Sequence, residues 1–170
     1  PEEAALLSGI AFEAKAHWGY SATALERWRP LLTITAEFVA NHAVWVAEFE
    51  GQVAGFSAQS AVGRRARLDH LWVRPARQRQ GIGTALLQRA MDEARQGGWT
   101  VLEIESDPHA EGFYLGLGAR RVGENPADLD GHPRPLPVLE LDLSPAPSSE
   151  ILLATLNAKY IHAAFGLRYL

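Results

Sequence analysis

One strand-to-helix turn constrains this chain more than any other stretch. Leu71-Trp72-Val73-Arg74-Pro75 runs through Ala76-Arg77-Gln78-Arg79-Gln80 to Gly81-Ile82-Gly83. Ile82, Leu86, Ala90 and Ala94 then recur at helical spacing, which predicts a helix over 82–96 stopped by Gly97-Gly98. The N–H groups of such a loop and first turn point outward at the positive end of the helix dipole. Glycines at 81 and 83 let a ligand approach the backbone, and Arg77 and Arg79 add charge beside them. The turn suits a pyrophosphate, or on its own geometry is simply a connection that needs glycine. It is not a dinucleotide fingerprint, because Leu86 stands where the third glycine belongs. It is not a P-loop either, because Gly83-Thr84 lacks the lysine.

The elements around the turn predict a single α/β domain. Leu6, Leu7, Ile10, Ala11 and Ala14 make 2–16 an amphipathic helix, interrupted at His17-Trp18-Gly19-Tyr20. Ser21 caps a second helix to about Arg29, ended by Pro30, and Thr35 caps a short third one reaching Asn41. Val44–Phe49 and Val53–Gln59 read as a hairpin about Gly51, and 66–73 as a further strand. After the long helix come a strand at 99–106, a short helix at 109–117, and strands near 119–124 and 136–143. That order predicts a mixed sheet with helices on its faces. A core is affordable, since 47% of the 170 residues are apolar. Ser144–Ser149 is a linker by composition, and an apolar tail follows.

Composition removes several chemistries. With no cysteine there is no thiolate nucleophile, disulfide or cysteine-held metal. A net charge of −4 argues against a nucleic-acid partner. Arg64, Arg65, Arg67, Arg74, Arg77 and Arg79 still cluster, which points to one anionic ligand. No apolar run is long enough for a membrane span and the N-terminus is acidic, so a soluble, cytoplasmic protein is expected. The histidines at 17, 42, 70, 109, 132 and 162 show no ligand spacing, so no metal is expected. Gly55-Phe56-Ser57-Ala58-Gln59 lies mid-strand and is no nucleophile elbow.

Gln78-Arg79-Gln80-Gly81-Ile82-Gly83 resembles the acetyl-CoA signature of the GNAT acetyltransferase superfamily, Gln/Arg-x-x-Gly-x-Gly/Ala. Some thirty residues on, Asp107–Ala119, with Ala110, Phe113-Tyr114 and Gly118-Ala119, resembles that family's second motif. The resemblance spans about 2–143 and implies the GNAT fold: a mixed, mostly antiparallel sheet flanked by helices, its first strand missing from this chain. It implies that the amides of Gln78, Arg79, Gln80, Gly81, Ile82, Gly83 and Thr84 cradle the pyrophosphate of acetyl-CoA. It implies too that the pantetheine arm pairs with the strand edge at Leu71 and Val73, where a backbone N–H polarises the thioester carbonyl. Tyr114 falls on the position that protonates the departing thiolate, although an aromatic there also packs on the sheet. Asp107 stands where many relatives carry Asn, either as an acceptor beside the cofactor or as the cap of the next helix.

Aminolysis needs a neutral amine, yet a primary amine with a pKa of about 10 is mostly protonated at neutral pH. Asp69 and His70 precede the turn and are expected on opposite faces of the strand, so that one faces the substrate. His70 has the better matched ordinary pKa, or else is a structural strand histidine. Glu103 and Glu105 are weaker candidates. His17, Trp18 and Tyr20 fall where the resemblance puts the acceptor wall, either boxing a cationic amine or plugging a gap between helices. Without cysteine, transfer is expected to run directly from acetyl-CoA to a small-molecule amine in a ternary complex. A non-catalytic acetyl-CoA sensor and a protein lysine or N-terminal acetyltransferase are the other readings, and a homodimer is open. Residues 151–170 resemble the opening strand and helix of the cobalamin-binding domain of radical-SAM proteins, without its D-x-H-x-x-G motif. They are either a fragment of a following domain or an extension. A further expectation is that 150–156 replaces the absent first strand, within the chain or swapped into a dimer.

Overall fold

A computed structural model describes residues 3–144 and 165–170. Helix α1 (Ala4–Ala16) buries Ala4, Leu7, Ile10, Ala11 and Ala14, the stripe its periodicity announced. The Ser21 hydroxyl accepts from the Ala24 N–H and starts α2 (Ala22–Leu32). The Thr35 hydroxyl likewise accepts from Phe38 and starts α3 (Ala36–Asn41). Pro30 does not end α2, contrary to expectation. It sits in the last turn, where Thr33 N–H still bonds Pro30 O and the Thr33 hydroxyl bonds Arg29 O.

Strands β1 (Ala43–Phe49), β2 (Gln52–Val62) and β3 (Arg65–Val73) form an antiparallel meander. Glu50 and Gly51 both take positive φ in its first turn. A single 3₁₀ turn at Pro75–Arg77 leads to α4 (Ile82–Gln96), and then come β4 (Val101–Glu105) and α5 (Glu111–Gly116). Strand β5 (Arg120–Asn125) is followed by a small hairpin, β6 (Asp128–Leu129) and β7 (His132–Pro133), and by β8 (Leu136–Asp142). The last described strand is β9 (Gly166–Tyr169). The main sheet runs β5-β8-β4-β3-β2-β1-β9, with only β3 and β4 parallel.

Each face of the sheet has its own core. Helices α1 and α3 cover Val44, Val46, Phe56 and Ala58. Helices α4 and α5 cover Ala66, Leu68, Leu102, Ile104 and Leu139. Burying each such leucine or isoleucine is worth roughly 1.5–3 kcal/mol, so both faces are firmly held.

Two irregularities position the site. First, β3 pairs with β4 only at Ala66–Leu68 against Leu102–Ile104, after which the strands part and leave a fork. Second, β3 bulges where it parts: Ala58 faces His70 and Gln59 faces Leu68, leaving Asp69 as the extra residue. The bulge reverses the alternation. Ala66 and Leu68 pack under α4, as do Leu71 and Val73 beyond it, so the residues between both point away. Asp69 and His70 therefore share the face opposite α4, which corrects their expected separation.

The free edge of β1 is occupied by β9. Trp45 faces Tyr169 and Glu48 faces Gly166, Phe165 is buried, and Arg168 bonds both Glu3 and Glu48. An added edge strand was expected there, but from 150–156; those residues and the linker after Ser144 lie outside the described residues.

Candidate active site

The glycine turn presents unsatisfied donors. Gly81 is the N-cap of α4, at φ 82°, and having no side chain it caps nothing. The first intrahelical bond runs from Ala85 N–H to Gly81 O, so the amides of Ile82, Gly83 and Thr84 remain without helical partners. A Cβ on Gly83 would stand 3.3 Å from the Phe113 ring, so glycine keeps this approach open. Arg79 also takes positive φ and lines the opening. A backbone shaped this way fits a pyrophosphate.

The edge of β3 in the fork presents more donors. Arg74 N–H bonds Ala54 O, on the β2 side, so strand alternation turns the backbone of Leu71 and Val73 toward the fork. The Gln78 side-chain amide donates to Val73 O across 3.4 Å. Gly55 permits β2 to lie close here, since a Cβ on it would stand 2.6 Å from Trp72 O.

Turn and fork open on one cleft of about 480 Å³. Of the expected cofactor residues, Leu71, Val73, Gln78, Arg79, Gly81, Gly83 and Thr84 line it. Ile82 contributes its amide while its side chain is buried in the core, and Gln80 turns outward. The arginine cluster is dispersed, contrary to expectation. Arg65, Arg67, Arg74 and Arg77 are each paired with a carboxylate, and Arg77 also covers the Phe49 ring.

Tyr114 lines the same cleft on α5, with only 6% of its surface exposed. Burial pushes its phenol well above the ordinary tyrosine range, so it holds its proton at neutral pH. His70 does not line the cleft. Its ring lies against Phe38 and Phe56, and its Nδ1 accepts the Trp72 indole N–H at 3.1 Å. Burial brings its pKa down to about 4, so at neutral pH it is an uncharged support for Trp72. Asp69 takes Arg67 Nε on Oδ1 at 2.8 Å, while its Oδ2 is buried without a partner among the described residues. Glu103 pairs with Arg65, and Glu105 accepts from Asn125.

Asp107 is not left free for a cofactor. Its Oδ2 binds Lys15 and Arg134, the latter at 2.5 Å, and its Oδ1 accepts from Tyr20 and from the His109 N–H, both at 2.9 Å. Asp107 does not cap α5, whose N-cap is Ala110 without a side-chain cap; it closes a turn onto the His109 N–H, and every lone-pair direction is already in use within the protein. Burial alone would raise this carboxyl, but Lys15 and Arg134 draw it below the usual range. Burial lowers the Lys15 ammonium and lifts the Tyr20 phenol to about 12. Trp18, Tyr20 and Trp28 surround Lys15 Nζ at 5.5, 5.1 and 4.5 Å, so the expected aromatic box encloses the chain's own lysine. Trp18 lines the cleft; His17 is exposed and does not. Phe113 of the second motif lines it as well, and so do Trp72 and His109, to which the sequence assigned no site role. Among the described residues no group of acidic or histidine side chains is placed to hold a metal, and no helix is long and apolar enough to cross a membrane.

Residues 14–131 match the family described as the acetyltransferase (GNAT) domain. N-acetyltransferase 8F1 of Rattus norvegicus is 32% identical over 130 residues, covering 70% of this chain and 58% of that protein. The chain spans less than two thirds of the length of the curated relatives it matches. A GCN5-related N-acetyltransferase structure from Rhodopseudomonas palustris superposes with a TM-score of 0.71 at 21% identity, covering 84% of this chain and 91% of that one. The yncA protein of Salmonella typhimurium, solved with its cofactor acetyl-CoA, gives 0.62 at 22% identity, covering 86% and 92%. None of these matches supports a cobalamin-binding tail.

Proposed function

The chain belongs to the GNAT acetyltransferase family, and from that premise we propose that it passes the acetyl group of acetyl-CoA directly to a small-molecule primary amine. The observation that carries the reading is a single cleft lined both by the Gly81-capped amides and by Tyr114. Acetyl-CoA brings the activated thioester. The amides of Ile82, Gly83 and Thr84, with Arg79, hold its phosphates, and the backbone of Leu71 and Val73 orients the arm in the fork.

Tyr114, a neutral phenol at working pH that lines the cleft, donates its proton to the leaving sulfur. We assign the base to Asp69, which does not itself line the cleft and so acts through a water at its unpartnered Oδ2. His70 holds Trp72 in the wall and is not the base, because its Nδ1 is engaged and its pKa is low.

CoA-thiol release from acetyl-CoA over a panel of amines tests the reading. Tyr114→Phe should lower kcat by roughly 10²- to 10⁴-fold with little change in acetyl-CoA affinity. An unchanged rate would remove Tyr114 from the reaction. Gly81→Glu should abolish acetyl-CoA binding, by strain and by placing a carboxylate at the phosphate seat. Tight acetyl-CoA binding with no release to any amine would make the protein a sensor.

A further inference from the structure

We infer that the acceptor is a monoamine carried on a flat aromatic body, and that polyamines and aminoglycosides are excluded; this rests on the acetyl-transfer reading. Besides the glycine turn, the cleft is lined by the rings of Trp18, Trp72 and His109. Trp18 lies 5.9 Å from Trp72 and stacks on His109 at 5.7 Å with an 18° interplanar angle. The indole N–H of Trp72 is fixed by His70, so this wall is preorganised.

Among the described residues no carboxylate lines the cleft, and the one formally charged lining residue, Arg79, adjoins the glycine turn. Asp107, which anchors the Lys15 and Tyr20 side chains beside Trp18, is 6% exposed and saturated by four donors. The ring faces that would receive a cation are filled from behind. Lys15 occupies those of Trp18, Tyr20 and Trp28, and Arg134 lies over Tyr20 and Trp28 at 4.9 and 5.3 Å. Two cations against one carboxylate leave this wall net positive. With Asp69 engaged by the reacting amine, a polycation would bring its spare ammonium groups to a wall that offers them no carboxylate among the described lining residues and has a like charge beside it. A single amine loses its charge before attack, and its aromatic body packs against the parts of Trp18, Trp72 and His109 that line the cleft.

The test is steady-state CoA-thiol release at saturating acetyl-CoA with phenylethylamine, tryptamine, n-butylamine, spermidine and kanamycin. The aromatic amines should exceed n-butylamine and both polycations in kcat/KM by about tenfold or more. Trp18→Ala should raise KM for the aromatic amines roughly three- to tenfold more than KM for n-butylamine. Lys15→Met should shift relative kcat/KM toward spermidine, because it vacates the box and removes one of the two cations that neutralise Asp107. Preference for spermidine or kanamycin in the unmodified protein, or equal use of all five amines, overturns this inference and leaves acetyl transfer standing. Bound acetyl-CoA with no release to any amine overturns both.

Discussion

At the scale of single residues, His70 shows how placement overrides an attractive ordinary pKa. A histidine near neutrality is the expected base, but burial against Phe38 and Phe56 moves it from 6.5 to about 4. The shift has a stability consequence with a definite sign. Below pH 6.5 the unfolded chain takes up a proton on this imidazole that the folded chain refuses until about pH 4. Stability should therefore fall as pH drops across that window, by about 3 kcal/mol at this residue. Urea titrations at several pH values should show a steeper loss for the natural protein than for His70→Gln, whose amide oxygen can still accept from Trp72. Equal slopes would mean that His70 is solvated and free to ionise. What the motifs made legible is the placement of Gly81, Gly83 and Tyr114 around one cleft. Asp107 was misread because its partners Lys15, Tyr20 and Arg134 lie 92, 87 and 27 residues away, beyond any local signal.

At the scale of elements, periodicity announced the helices and the meander because each buries one regular stripe or face. What it missed is irregular or borrowed. An alternation argument assumes an unbroken pleat, so the bulge at Asp69 inverted the face assigned to one of two adjacent candidates. The hairpin β6–β7 did leave a signal in Asp130-Gly131, both at positive φ, but its two-residue strands carry no pattern. Strand β9 is selected by the open edge of β1 rather than by its own four residues. The tight β2–β3 pairing yields a prediction at this scale. Gly55→Ala would set a methyl 2.6 Å from Trp72 O, a backbone atom that cannot swing aside. It should destabilise the fold by roughly 1–3 kcal/mol. It should also raise the acetyl-CoA KM, because the displaced strand carries Leu71 and Val73. Gly123→Ala, with open space around its Cβ, is the matched control, expected within about 0.5 kcal/mol of the parent. Equal melting of the two variants would show that β3 is looser than its register implies.

At the scale of the whole molecule, the sheet is continuous at one end and forked at the other. Seven strands pair from β5 to β9, yet the only parallel junction holds for three residues before β3 and β4 diverge. The cores on either face hold the two arms apart, and the donors that ordinary pairing would satisfy are left facing the cleft. A ligand arm that bonds the edge at Leu71 and Val73 acts as a local strand, and its binding should be visible far from any catalytic step. Amide hydrogen exchange separates the two sides of β3 cleanly. The Arg74 N–H, bonded to Ala54 O, belongs to the β2 ladder and should be protected with or without ligand. The amides of Leu71 and Val73 should exchange faster in the free protein and slow markedly when acetyl-CoA is added, with Ile82, Gly83 and Thr84 slowing in parallel. Slowing at 82–84 alone would place the phosphates on α4 but leave the arm outside the fork. Slowing spread evenly over the sheet would reflect global stabilisation, and the fork would then have no claim to be the seat of the arm.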